Sequence, residues 1–266
     1  MYTLRNGKIY KAIALTNLIH VRGGIVMAIE YNGFSERIAR RSLQIGGIKL
    51  RPEQPFQWAS GFFMPIYNDN RLLLFDPQDR LMVAHALNNA LTQTNYNDET
   101  VIAGTSTAGI SPGTTLANLK NSPFIYVRPE PKDHGLRNRI EGLSEDKDLE
   151  GRTTILVEDL VSTGGSSVSA VQGVRDANGK ISFCISIFSY GLPKATAMFA
   201  GTEAYDKNGN KLAEPCTLVP VLTYNRLLQI ALDDKKITSE QLKMLEEWRE
   251  DPFGWGEKHG FPQVKK

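Results

Sequence analysis

The sequence predicts an α/β fold built on a mostly parallel central sheet with helices on both faces. Three observations carry that prediction. Short apolar runs of four to eight residues alternate with helix-length segments through the middle of the chain. These runs are apolar throughout rather than every second residue, as in strands covered on both faces. The length, 266 residues with 41% hydrophobic and 23% charged, suits one large domain with an ordered core.

The elements follow in order. The stretch before Met27 has no clear amphipathic period, so residues 1–34 are expected to form an N-terminal arm, partly mobile. Ser35 is placed as the N-cap of a helix carrying Ile38, Leu43 and Ile45, which Gly46 and Gly47 end. Residues 56–61 and 64–67 read as extended and turn-rich. Asp76-Pro77 opens a helix expected to reach Thr94. Then come a strand at 101–104, a helix at 114–119, strands at 124–127 and 154–157, a helix at 166–175, a strand at 181–188 and a short helix at 194–199. Asn208-Gly209 is a hairpin-type turn signal, and 218–222 adds an edge strand. Helices at 224–233 and 239–250 close the chain, the last stopped by Pro252.

Composition excludes several classes. Lys plus Arg is 31 and Asp plus Glu is 29, a net charge of +2, too balanced for a protein built mainly to hold nucleic acid or an anionic membrane. The two cysteines, Cys184 and Cys216, cannot form a disulfide framework or a Cys-rich zinc site. The four histidines are scattered without an HxxxH pair. No apolar run reaches the ~18 residues of a membrane span. Thr16, Asn17 and His20 break the apolar stretch near the start, which reads as neither signal peptide nor anchor. The cytoplasm is the expected compartment. Cys184 is expected as a buried small hydrophobe, His85 as packed or half exposed, and Trp248 and Trp255 as core or interface aromatics.

The strongest chemical signal runs from Ile155 to Ser167. A buried strand ends in two adjacent carboxylates, Glu158 and Asp159. Leu160, Val161, Ser162, Thr163, Gly164, Gly165 and Ser166 follow, and then a helix begins. Glycines let backbone N–H groups converge on an anion. A helix start adds unpaired N–H groups and partial positive charge. Carboxylates at the carboxyl end of a central strand lie where α/β sheets bind ligands and suit the hydroxyls of a ribose. The loop is neither a GxxxxGK[ST] nor a GxGxxG motif. A second segment, residues 126–142, runs from a strand into a charged loop with Pro and Gly, a candidate lid. Arg128, Lys132 and His134 place three cationic groups there.

Residues 157–166 resemble the phosphoribosyl pyrophosphate (PRPP) motif of type I phosphoribosyltransferases, and the form Glu-Asp-Leu-Val-Ser-Thr-Gly-Gly-Ser is close to that of orotate phosphoribosyltransferases. The stretch R-x-x-x-K-D-H-G followed by I-E-G is similar to that family's mobile catalytic loop. Thr105, Ser106, Thr107, Ala108 and Gly109 resemble its pyrophosphate loop, and residues 58–71 its N-terminal substrate-side segment. The resemblance covers about residues 35–255. It implies a type I phosphoribosyltransferase fold with a small N-terminal hood. The hood and N-terminal helices would occupy 35–95, the core sheet 96–222 with its lid at 128–142, the C-terminal helices 223–255 and a tail 256–266. It implies that Glu158 through Ser166 bind PRPP, that Ser162 also reaches orotate, and that Arg128, Lys132 and His134 contact the pyrophosphate. Lys132, His134 and Asp159 would be the catalytic residues. Mg²⁺ would be carried by PRPP rather than by a protein cage, and the lid implies a homodimer with shared active sites. Two positions depart from the family pattern. Phe63 stands where a Lys is common, and Pro129, Glu130 and Pro131 replace a stretch that usually carries another lid Lys. Transfer to another nucleobase, or PRPP binding without catalysis, therefore stand as alternatives to orotate transfer.

Overall fold

The computed structural model describes residues 2–5, 8–11, 33–58, 60–129, 139–144, 147–205 and 211–264. The arm contributes an antiparallel pair, β1 (Tyr2–Arg5) and β2 (Lys8–Lys11), although no amphipathic period marks it. Met27 lies outside the described residues. The first helix, α1 (Phe34–Gln44), starts at Gly33, whose φ of 77° is left-handed. Ser35 is therefore not the N-cap. It sits inside the first turn, buried, and its hydroxyl donates to the carbonyl of Val221 at 2.7 Å. That tertiary partner outweighs the local cap.

The hood then holds β3 (Ile48–Leu50), β4 (Phe56–Gln57), β5 (Phe63–Met64) and β6 (Ile66–Asn68), paired antiparallel as β3 with β6 and β4 with β5. A 3-10 turn, Asn70–Leu74, leads to α2 (Pro77–Ala90), capped by the Asp76 side chain accepting from the Gln78 N–H at 2.8 Å. The helix ends short of Thr94, because its last turn tightens into 3-10 geometry over Leu91–Gln93.

The core alternates as expected: β7 (Val101–Thr105), α3 (Ile110–Lys120), β8 (Phe124–Val127), β9 (Ile140–Glu141), β10 (Thr153–Val161), α4 (Gly165–Asp176), β11 (Lys180–Ser189) and α5 (Pro193–Ala200). A small antiparallel pair follows, β12 (Ala204–Tyr205) with β13 (Lys211–Ala213). The expected turn at Asn208-Gly209 lies outside the described residues. Then come β14 (Thr217–Thr223), α6 (Tyr224–Asp233), α7 (Ser239–Glu250) and α8 (Trp255–Lys258). The six-stranded sheet has the order β14-β11-β10-β7-β8-β9 and is parallel except for β8 with β9.

Two elements are longer than their sequence signal. α3 begins at Ile110, not Thr114, because Pro112 falls in the first turn, where a missing N–H costs nothing. β10 continues past Val157 through both carboxylates to Val161, because β11 extends alongside it to the pair Val161↔Ser189.

The sheet is covered on both faces. Ile102, Ile155, Val157, Ile185 and Val219 pack toward α1, α2, α3, α6 and α7. Val101, Ala103, Leu156, Cys184 and Leu218 pack toward α4 and α5. Cys184 is buried as expected, while His85 is exposed on α2. The stretch assigned as a tail is packed. His259 stacks on Trp255 at 4.6 Å between ring centres, Phe261 lies 5.9 Å from Phe63, and the Val264 N–H donates to the Gly61 carbonyl at 3.1 Å. Among the described residues, no helix is long and apolar enough to cross a membrane.

Candidate functional site

The site forms where β7 and β10 end side by side. From these two neighbours the chain departs in opposite directions across the sheet, toward β8 and toward β11, which opens a crevice at the carboxyl ends of the strands. Glu158 stands at that crevice, 6% exposed. Its carboxylate accepts from the Thr105 hydroxyl at 2.6 Å and from the Ser167 hydroxyl at 3.0 Å. Burial pushes its carboxyl up to about 7; the Thr105 bond opposes the rise and the neighbouring charge of Asp159 adds to it. Burial also raises Asp159, against the bond from Glu158, nearby backbone N–H groups and the positive charge of Arg71. Two carboxyls this close do not both ionise freely. Burial thus favours the protonated form at this pair.

The loop after β7 depends on glycine. A Cβ on Gly104 would lie 2.8 Å from the Gly109 carbonyl oxygen. A Cβ on Gly109 would lie 2.4 Å from both the Thr105 hydroxyl and the Val157 carbonyl oxygen. The Ser106–Thr107 peptide within this loop is cis. The Ser106 N–H donates to the Val127 carbonyl at 2.9 Å, fastening the loop to the end of β8. Thr105 faces inward to Glu158, so its hydroxyl is engaged in supporting the acid.

After β10, Ser162 and Thr163 lead to Gly164, whose φ of 85° requires glycine, and α4 starts at Gly165. Gly165 and Ser166 are exposed at that helix start. Leu160 and Val161 are not cradle loop residues. They belong to β10, where Val161 is buried among the α4-side residues and Leu160 packs on the opposite core.

Thr105 and Gly109 thus lie against Val157 and Glu158 of β10, and Asp159 and Ser162 through Ser166 follow along the end of that strand into α4. Arg128 sits at the end of β8, 3.5 Å from the Glu141 carboxylate, and its N–H donates to Arg139. Lys132 and His134 lie outside the described residues, as do Glu130 and Pro131. Phe63 turns toward Phe261, and Met64 is buried with its sulfur accepting from the Trp248 indole N–H at 2.9 Å. An apolar pair at 63–64 is thus explained by the C-terminal segment it packs against. Two supporting residues carry no sequence signal of their own. Ser167 reads as an ordinary first-turn serine, and Asn70 as a turn residue, yet Asn70 donates to the Asp159 carbonyl at 2.7 Å.

Among the described residues no three His, Cys, Asp or Glu side chains cluster to cage a metal. The donor set at the strand end is two hard carboxylates, which fits a divalent ion held chiefly by a phosphorylated ligand.

No family model matches the chain. Orotate phosphoribosyltransferase of Cytophaga hutchinsonii is 40% identical over 222 residues, covering 84% of this chain and 98% of that protein. The enzyme of the same name from Cutibacterium acnes is 39% identical over 236 residues, 88% of this chain and 100% of the other. Among solved structures, orotate phosphoribosyltransferase from Aeropyrum pernix aligns with a TM-score of 0.53 at 23% identity, over 72% of this chain and 96% of that one. Adenine phosphoribosyl transferase from Trypanosoma brucei aligns with a TM-score of 0.55 at 14% identity, over 79% and 88%. The fold is that of type I phosphoribosyltransferases. With 40% identity spread over nearly the whole of a relative, the chain belongs to the orotate phosphoribosyltransferase family.

Proposed function

We propose that the chain transfers the 5-phosphoribosyl group of PRPP to orotate, giving orotidine 5′-monophosphate and pyrophosphate, a step of pyrimidine synthesis. The observation that carries this reading is the carboxylate pair on the last turns of β10, running directly into the Gly164 turn and the start of α4. Glu158 and Asp159 accept from the ribose hydroxyls. The N–H groups of residues 162–166 and the hydroxyls of Ser162, Thr163 and Ser166 receive the 5′-phosphate. The loop 105–109 faces the pyrophosphate, and Ser162 also reaches orotate. In the reaction the bond from the anomeric carbon to pyrophosphate breaks, a bond to a ring nitrogen of orotate forms, and the proton of that nitrogen passes to the departing pyrophosphate or to solvent. The protein positions the two reactants and stabilises the charge that develops on the leaving group.

Arg128, Lys132 and His134 are assigned to the pyrophosphate on the strength of the family motif. Mg²⁺ carried on PRPP would neutralise part of the pyrophosphate charge, with Glu158 and Asp159 holding the ribose hydroxyls beside it. The proposed compartment is the cytoplasm, and the near-neutral net charge supports small-molecule partners over nucleic acid or membrane.

The test is the fall in orotate absorbance with PRPP and Mg²⁺, run on the protein and on Lys132→Ala. A PRPP-dependent loss of signal that collapses in the variant is expected. Absence of turnover while PRPP still binds by calorimetry rules out orotate as the base.

A homodimer belongs to the same reading. Phe75 is 93% exposed, with Leu72 at 44% and Leu81 at 46% nearby in the chain. Exposed apolar groups of this size mark interaction surfaces. Light scattering is expected to give twice the chain mass, and Phe75→Glu to shift the population toward monomer. A wild-type monomer with full activity rules out shared sites.

A further inference from the structure

β10 and β7 run in register from Thr154↔Val101 to Val157↔Gly104. There β7 turns away into the loop 106–109. On its other edge β10 stays paired with β11 to Val161↔Ser189. Among the described residues, the end of β10, which carries both carboxylates, therefore has a strand on one side only.

Val157 turns its carbonyl to the β7 side, toward the Thr105 hydroxyl at 3.3 Å. Carbonyls two residues apart on a strand face the same way. The Asp159 carbonyl thus also faces the side that β7 has left, and a donor from the hood meets it. That donor is the Asn70 side-chain amide at 2.7 Å, 89 residues away in sequence. Asn70 is 3% exposed. The turn that holds it is itself fastened. Asp69 accepts from the Arg71 N–H at 3.1 Å and grips the Arg71 guanidinium through bonds of 2.6 and 2.9 Å. No aliphatic or carboxylate side chain could replace Asn70, because the carbonyl it serves needs a donor.

We propose that Asn70 is a positioning residue for catalysis: its amide substitutes for the missing strand and fixes the main chain of Asp159, so that the carboxylate meets the ribose hydroxyls of PRPP. This rests on the reading of Asp159 as a ribose-binding acid. The hood and the ribose end of the site are thereby joined through one side chain.

The experiment is a double-mutant cycle read by calorimetry with PRPP and Mg²⁺ on the full chain. It uses Asn70→Ala, Asp159→Asn and the pair, with KM for PRPP and for orotate measured in parallel. Asn70→Ala is expected to weaken PRPP about tenfold, which corresponds to about 1.4 kcal/mol. The orotate KM should change less than about twofold, since the perturbed carboxylate faces the ribose. In the Asp159→Asn background the same change should cost almost nothing, because its route of action is already gone. Asn70→Ser, which keeps a shorter-reaching donor, serves where the alanine variant is too unstable to titrate and should fall between wild type and alanine. Fully additive losses, or equal losses in both KM values, overturn the proposal in favour of a purely structural Asn70. PRPP affinity unchanged by Asp159→Asn overturns the ribose assignment itself, a separate outcome.

Discussion

Gly109→Ala is expected to destabilise the protein and abolish detectable PRPP binding together. The added methyl would sit 2.4 Å from the Val157 carbonyl oxygen and the Thr105 hydroxyl, and 2.7 Å from the Thr105 nitrogen. Two of these atoms are backbone, in adjacent central strands that cannot swing aside. Overpacking of this kind costs about 1–3 kcal/mol. It also displaces Thr105, whose hydroxyl donates to Glu158 at 2.6 Å, leaving a buried carboxylate short of a donor. Thermal unfolding and calorimetry with PRPP check both effects. Gly165→Ala is the matched contrast. Nothing lies within 4 Å of a Cβ there, and the residue opens α4, so stability should stay within about 0.5 kcal/mol. If the N–H groups at this helix start receive the 5′-phosphate, the methyl group should still weaken PRPP. A Gly109→Ala protein of unchanged stability and affinity would contradict the packing account.

The second large effect concerns protons. Glu158 has its carboxyl pushed up to about 7 by burial, from 4.5. Between those values the folded state holds a proton that the unfolded state has released. Stability from this group is therefore complete below pH 4.5 and declines as pH rises toward 7. Each unit of displacement corresponds to about 1.4 kcal/mol. Denaturant unfolding of the unliganded protein should show this decline, and Glu158→Gln should remove it. The same variant gives up a carboxyl acceptor for ribose, so PRPP should weaken by up to roughly tenfold, the worth of about 0.5–1.5 kcal/mol for a hydrogen bond. A stability curve that rises from pH 4.5 to 7 in the wild type, and keeps its slope in the variant, would falsify the assignment.

Much of this site can be read directly from the sequence. The two carboxylates, the Ser-Thr-Gly-Gly turn and the helix start are contiguous, and each residue type has a local physical use. Strands such as β8, and helices α6 and α7, follow from apolar runs, capping residues and Pro252. What escapes local reading depends on partners distant in the chain. Glu158 and Asp159 look like the start of a loop, and only the length of β11 makes them strand. Leu160 and Val161 look like loop for the same reason. Ser35 looks like a cap until Val221 takes its hydroxyl. Asn70 is one turn residue among several until the end of β7 leaves the Asp159 carbonyl without a strand beside it.

The hairpin of β4 and β5 has an implication for the order in which the protein matures. Met64 is seated under the Trp248 indole, 184 residues later, and Gly61 accepts from the Val264 N–H. During synthesis the sheet, the carboxylate pair and the start of α4 can assemble while the hairpin still lacks its C-terminal backing. The strand-end part of the candidate site is therefore older, in the lifetime of each molecule, than the seat of the hairpin. A ribosome-bound chain halted before Trp248 should form the end of β10 while Met64 still lacks the indole that covers it.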